Sequence, residues 1–256
     1  MSNVLLEAEA GRRWQVTGWR RVLRDRSWHV TADTISAPTL RSTEPSAPTV
    51  PTPSTLYSCA KRGLDLILSL LAITATLPIW VTIAVAVRCT SKGPVLFRQL
   101  RVGRDGRSFT VLKFRSMCSN AEVRLRDLGL YDTYVATGYK LPVADECRLT
   151  GMGRFLRRTS LDELPQLFNV ARGDMSLVGP RPVVPDELSC YGELVHCYLA
   201  VRPGITGMWQ VSGRSHIRFP ERAHIDRDYV HARSFRLDLA ILARTPLAVV
   251  RGNGAH

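Results

Sequence analysis

From Leu64 to Val87 the chain runs through 24 residues whose only ionisable group is Asp65. As a helix rising about 1.5 Å per residue, this run reaches roughly 36 Å, more than the ~30 Å hydrocarbon core of a bilayer. A helix apolar on every side fits the core of a soluble protein only when it is deeply enclosed, and this length makes membrane insertion the stronger reading. Pro78 sits inside the run. It lacks an N–H and clashes with the preceding turn, so the sequence predicts a kink or break there. The two arms, about 14 and 10 residues, are each too short to cross alone. Lys61 and Arg62 precede the run, and Arg88, Lys92, Arg98 and Arg101 follow it. The positive-inside bias therefore assigns both flanks to the cytoplasm. A hairpin that enters and leaves one face satisfies both facts, while a kinked spanning helix stays open on the residues alone. Asp65 is expected to pair with Arg62 or with a basic residue of the following domain.

The chain in front of this run has a different character. Arginines at 12, 13, 20, 21, 24 and 26 stand among Trp14, Trp19 and Trp28, with no apolar stretch suited to a secretory signal. Both a short basic surface helix and an unstructured arm fit that pattern. Residues 31–56 hold prolines 38, 45, 48, 51 and 53 among many Ser and Thr, a composition too poor in large apolar side chains to fold. On the residues alone the expected organisation is a basic, then Pro/Ser/Thr-rich disordered extension over 1–56, a proline-interrupted membrane segment over 57–92, and a further domain over 93–256. The net charge of +13 asks for an anionic partner: nucleic acid, anionic lipid or a phosphorylated substrate. The six cysteines show no Cys-x-x-Cys spacing, which fits free thiols in a reducing compartment.

Past the apolar run, Pro94–Val102 and Phe109–Arg115 read as strands around Arg104-Asp105-Gly106, and the Asp-Gly pair signals a hairpin turn. Six basic residues against one acid between 98 and 115 suit the ribbon to lipid phosphate or a nucleotide diphosphate. The same charges would also protect a solvated edge strand. The attached apolar run argues against DNA reading, so no nucleic-acid partner is expected.

Next come Arg154, Arg157 and Arg158, followed by Ser160-Leu161-Asp162-Glu163-Leu164-Pro165-Gln166. Adjacent carboxylates repel unless cations, a metal or backbone donors hold them. Ser160 with Glu163 three residues later also matches a helix capping box. The functional alternative makes Asp162 a nucleophile or metal ligand and Glu163 a Mg²⁺ ligand, because Mg²⁺ commonly bridges carboxylates to substrate phosphates. Neighbouring arginines, Arg158 among them, would keep the acids ionised and offset phosphate charge. Two Gly/Pro-rich segments, 173–182 and 202–214, present Arg181, Arg202 and Arg214 on rigid turns.

Several stretches together are similar to one family: Lys61-Arg62-Gly63-Leu64-Asp65, Gly93-Pro94-Val95-Leu96-Phe97-Arg98-Gln99, Lys113-Phe114-Arg115-Ser116-Met117, Leu156 to Gln166, Gly173 to Pro182, and Arg202 to Arg214. From about Lys61 to Gly254 the chain resembles the bacterial sugar transferases, monotopic polyprenyl-phosphate hexose-1-phosphate transferases. The resemblance implies an α/β fold, mostly helical with a small β-hairpin, a proline-broken re-entrant helix hairpin over 57–92, amphipathic surface helices and a cytoplasmic catalytic domain over 93–256. It implies transfer of sugar-1-phosphate from a UDP-sugar to polyprenyl (undecaprenyl) phosphate, with release of UMP, at the bacterial inner membrane, in exopolysaccharide or related glycan assembly. Asp162 is then the nucleophile that forms a phosphosugar intermediate, and Glu163 helps to hold Mg²⁺. Lys113, Arg115, Arg158, Arg181, Arg202 and Arg214 are the substrate-binding candidates. Sugar contacts are expected between 118 and 147 or near the C-terminus. The chain departs from the family pattern in residues 1–56, in Leu77 where a small polar residue would precede the proline, and in the loose match of His231–Phe235. A non-catalytic, membrane-tethered protein that binds anionic lipid or nucleic acid is the alternative, and it would need neither acid.

Overall fold

A computed structural model describes residues 50–118, 121–130, 148–212, 217 and 219–250. These belong to the unit Pro45–His256. The basic arm, most of the Pro/Ser/Thr-rich segment, residues 119–120 and 131–147 of the expected sugar-contact stretch 118–147, and Arg214 lie outside them.

The apolar run lies within one helix, α1 (Thr55–Thr90), with Pro78 in its interior. The helix continues through the proline, so Pro78 does not divide the apolar run into two separate elements. Side chains bond to the helix backbone on both sides of Pro78, Thr76 Oγ1 donating to Ala72 O at 2.6 Å and Thr82 Oγ1 to Pro78 O at 3.0 Å. Ser/Thr hydroxyls of this kind, with neighbouring packing, let a membrane-type helix tolerate proline. The helix carries a stripe at three- and four-residue steps, Asp65, Leu68, Ser69, Ala72, Thr76, Trp80, Ile83 and Val87, which is buried or half-buried. Leu66, Ile67, Leu70, Leu71, Leu77, Ile79, Val81 and Val85 remain exposed. Only 11% of its most apolar window is buried, which is unlike the core helix of a soluble protein.

Both ends of α1 are tied to the rest of the body. Near its start, Lys61 pairs with Asp238 at 2.8 Å, and Arg62 donates to Val170 O and Ala171 O. Asp65 finds a backbone partner rather than the expected arginine, accepting from Leu177 N at 3.0 Å. Near its end, Ile83 and Val87 pack with Phe114 and Leu156. The body also begins earlier than residue 57, since Val50 packs against the Val178–Tyr229–Val230–Ile241 cluster.

Strands β1 (Leu96–Val102) and β2 (Ser108–Phe114) form the expected antiparallel hairpin, with Leu96 opposite Phe114 and Val102 opposite Ser108. Asp105 and Gly106 both take positive φ in its turn, as the Asp-Gly pair predicts. Helices α2 (Ala121–Asp127), α3 (Gly151–Thr159) and α4 (Gln166–Arg172) follow. Then β3 (Ser176–Val178), a 3₁₀ segment Pro185–Leu194 and α5 (Val195–Leu199) lead to β4 (Gly204–Thr206), which pairs with β3 in parallel. Helices α6 (Met208–Ser212), α7 (Glu221–Ala232) and α8 (Phe235–Val250) complete a mostly helical fold with two small sheets. Phe155 on α3, Phe168 on α4 and Leu239, Leu247 and Val250 on α8 are exposed apolar side chains.

Candidate active site

The acidic pair lies in the link between α3 and α4. Ser160 ends α3 in the left-handed conformation (φ 56°), and a 3₁₀ turn, Leu161–Glu163, carries both acids. The expected capping box does not form. Thr150 caps α3, while Ser160 makes no side-chain cap bond and donates its N–H to Arg157 O. The Glu163 carboxylate turns away to Lys113 Nζ at 2.7 Å and Arg181 Nη1 at 3.3 Å, both on Oε1.

Each of these cations has its own support. Lys113 projects from β2, and α4 is locked to that strand by Asn169, whose Nδ2 donates to Thr110 O (2.7 Å) and whose Oδ1 accepts from Leu112 N (3.1 Å). Arg181 stands in the Gly179–Pro182 turn. Gly204 N donates to Pro180 O at 2.7 Å, and Arg101 Nη1 donates to Pro182 O at 2.9 Å, so the turn is held from both sides. A Cβ on Gly204 would run into the Gly179 backbone, which restricts this close crossing to glycine.

Asp162 is nearly enclosed, at 6% exposure. Glu163 and Lys113 are partly open, at 20% and 17% for their side chains, and Arg181 is the most accessible at 35%. Burial pushes the Asp162 carboxyl up to about 6; Lys113 opposes the rise, the Glu163 charge adds to it, and Arg157 and Arg181 counter it. Burial would raise Glu163 too, but Lys113 and Arg181 outweigh it and hold that acid at about 2. Of the arginines at 154, 157 and 158, Arg157 lowers both acids, as a smaller influence than Lys113 on each. The result is a nearly buried carboxylate beside a firmly ionised one, with cations around both.

Three substrate-binding expectations are corrected by the geometry. Arg115 is buried away from the acids, its guanidinium bonded to Pro94 O, Ser91 O (2.8 Å) and Ser91 Oγ (2.7 Å), where it fastens the end of α1. Arg158 is exposed on α3, and its neighbour Arg157 is the arginine of that helix whose charge acts on Asp162. Arg202 donates from Nε to Gly173 O (2.9 Å) and lines a separate pocket. Asn169 and Arg101 went unforeseen; an asparagine inside a helix, where it competes with the backbone, was the available signal for the first.

Among the described residues no group of three or more His, Cys, Asp and Glu side chains gathers to hold a metal. Two adjacent carboxylates do fit the mode in which Mg²⁺ takes one or two protein oxygens and completes its shell from phosphate and water. Glu163 has already committed Oε1 to two cations, leaving its second oxygen and Asp162 as the donors for that role.

A nearly enclosed Asp162 beside a partly open Glu163, framed by lysine and arginine, thus sits on a body fastened to a long apolar helix. The model of the family described as bacterial sugar transferase matches residues 56–252, and the chain belongs to that family. It is 41% identical to an undecaprenyl-phosphate galactose phosphotransferase of Salmonella typhimurium, over 77% of this chain and 41% of that protein. It is 42% identical to a UDP-galactose-lipid carrier transferase of Erwinia amylovora, over 77% of this chain and 41% of that protein. With the exopolysaccharide production protein ExoY of Sinorhizobium fredii it shares 38% identity over 77% of this chain and 88% of that one. The chain thus spans about two fifths of the length of the first two relatives and most of the third.

Proposed function

We propose that the protein transfers a hexose-1-phosphate from a UDP-sugar to polyprenyl phosphate, through a covalent intermediate on Asp162. The observation that carries this reading is the contrast within the acidic pair: Asp162 is enclosed and raised to about 6, beside a Glu163 committed to Lys113 and Arg181. An Asp162 oxygen attacks the phosphorus that bears the sugar, the bond from that phosphorus to the bridging oxygen of UMP breaks, and UMP leaves with the electron pair. A polyprenyl phosphate oxygen then attacks the same phosphorus, the aspartyl–phosphate bond breaks, and the carboxylate is restored. A desolvated carboxylate is a stronger nucleophile than a hydrated one, and Lys113, Arg181 and Arg157 offset charge on the transferring group. Glu163 and Asp162 would hold Mg²⁺, which when bound would supply further charge neutralisation on the diphosphate.

We also infer a re-entrant placement for α1 in the cytoplasmic membrane, with the catalytic body facing the cytoplasm. Its support is that Lys61 and Arg62 at one end, and Val87 and Ser91 at the other, engage the same body. A helix that crossed the bilayer would carry those ends to opposite faces. The relatives named for galactose put UDP-galactose first in a panel of donors. Purified protein in detergent, given polyprenyl phosphate and Mg²⁺, is expected to release UMP with at least one UDP-sugar and to yield a lipid-linked sugar diphosphate. Near-normal turnover by Asp162→Asn would refute the covalent route, and no UMP release from any donor would favour a non-catalytic anion-binding protein.

A further inference from the structure

Arg202, displaced from the acidic pair, belongs to a second and different basic centre. A pocket of about 90 Å³ opens beside the first turns of α1 and is lined by Lys61, Arg62, Arg104, Arg202 and Arg233, with Asp65 as its one acid. Few acids offset those cations: Lys61 is paired with Asp238, Arg104 Nε meets Asp105 Oδ2 at 3.2 Å on an exposed turn, and Asp65 accepts from the Leu177 backbone. Arg62 and Arg202 converge on Gly173: Arg202 Nε donates to its carbonyl, and the Arg62 guanidinium lies 3.3 Å from where a Cβ of Gly173 would stand. Burial lowers the Arg202 pKa and the charges of Arg104 and Arg62 lower it further, while Asp65 and Asp105 act against them; a bound anion would relieve the like-charge crowding. Nothing lining this pocket lines the cleft of Glu163, Lys113 and Arg181.

Its position selects the anion. The α1 residues that line it run from Tyr57 to Asp65, between the exposed Leu56 and the long exposed apolar stretch that starts at Leu66. That is the depth at which a membrane helix passes through lipid headgroups, and basic pockets at this level bind anionic headgroups. The geometry points to a non-catalytic site for the phosphate of an anionic glycerophospholipid, held by Arg202 and Arg104 at the water end of the apolar helix. A guanidinium can clasp two phosphate oxygens at once, a contact that Arg202 remains able to make through its terminal nitrogens.

The test uses the full chain in a neutral detergent. Phosphatidylglycerol, phosphatidylcholine and inorganic phosphate are titrated separately while the thermal midpoint is followed. Phosphatidylglycerol is expected to raise the midpoint saturably, and the other two to leave it unmoved at equal concentration. Arg202→Gln is expected to weaken the response about tenfold, the loss that goes with one charge-assisted contact. Arg104→Gln, on an exposed turn whose loss leaves the fold intact, should weaken it severalfold, so the outcome does not depend on one variant folding. Asp162→Asn should respond as the parent does, which separates this site from the reaction centre. Equal responses in parent and Arg104→Gln would overturn the site. A phosphatidylcholine response as large as that of phosphatidylglycerol would overturn its charge selectivity, and a matching response to inorganic phosphate would assign it to free phosphate rather than lipid.

Discussion

Asp162 and Glu163 are neighbours in the chain with opposite electrostatic lives. Because the folded state raises the Asp162 pKa from 3.8 to about 6, the native protein binds a proton there that the unfolded chain has already lost. Asp162 therefore costs stability as pH rises from about 4 to about 6, with the full cost present above that window. Glu163 acts the other way: its depressed pKa contributes stability that is present above about 4.5 and is lost as pH falls toward about 2. Asp162→Asn should accordingly abolish transfer while raising stability at pH 7–8 by on the order of 1–3 kcal/mol, read by chemical denaturation. Transfer by the parent should fall on the acid side with an apparent pKa near 6, measured as kcat/KM against pH, as the nucleophile takes up its proton. The acidic pair was legible because two adjacent carboxylates after an arginine cluster demand an explanation. The direction in which each cation points was not legible. Lys113 and Arg115 stand two residues apart, yet one reaches Glu163 and the other Ser91, because β2 ends at Phe114 and the chain turns.

Among the elements, α4 matters most to the site, since its preceding turn carries the acids and its flank meets the strand that carries Lys113. Asn169 makes both hydrogen bonds of that junction from the middle of a seven-residue helix too short to be stable alone. Asn169→Ala should cost on the order of 1–3 kcal/mol, since it removes the partners of Thr110 O and Leu112 N in a part-buried setting. It should lower kcat more than it raises KM, because it loosens the placement of Lys113 without removing a phosphate contact. Long or strongly signalled elements were readable: α1 from its composition, within two residues at each end, and the hairpin from its Asp-Gly turn. The parallel β3–β4 pair was not, because three-residue strands carry too little periodicity to register. Pro78 does not interrupt the helix for a physical reason. Proline removes one helical hydrogen bond, and the packing of Trp80, Ile83 and Val87 on the body beyond it keeps the rest of α1 in place.

On the scale of the whole molecule, the protein carries its own reporters of topology. Cys59 and Cys89 are exposed near the two ends of α1. With the other cysteines replaced by serine, a membrane-impermeant maleimide should label both in inside-out vesicles and neither in right-side-out vesicles. Labelling from opposite faces would refute the re-entrant placement. High-salt and alkaline washes should leave the protein in the membrane fraction and detergent should release it, because the exposed face of α1 is apolar rather than basic.

Anchor and enzyme are not separable modules in this chain. Val87 and Ile83 are core residues of the body as well as turns of the apolar helix, and Arg115 and Asp238 find their partners on or beside that helix. A truncation that begins at residue 92 would leave Phe114 and Leu156 facing water, Arg115 without Ser91, and Asp238 without Lys61 and Tyr57. Efforts to obtain a water-soluble catalytic fragment by trimming the hydrophobic segment should therefore produce aggregated material. The route to a soluble form is to recode the outward face of α1 with polar residues while its inward stripe is kept.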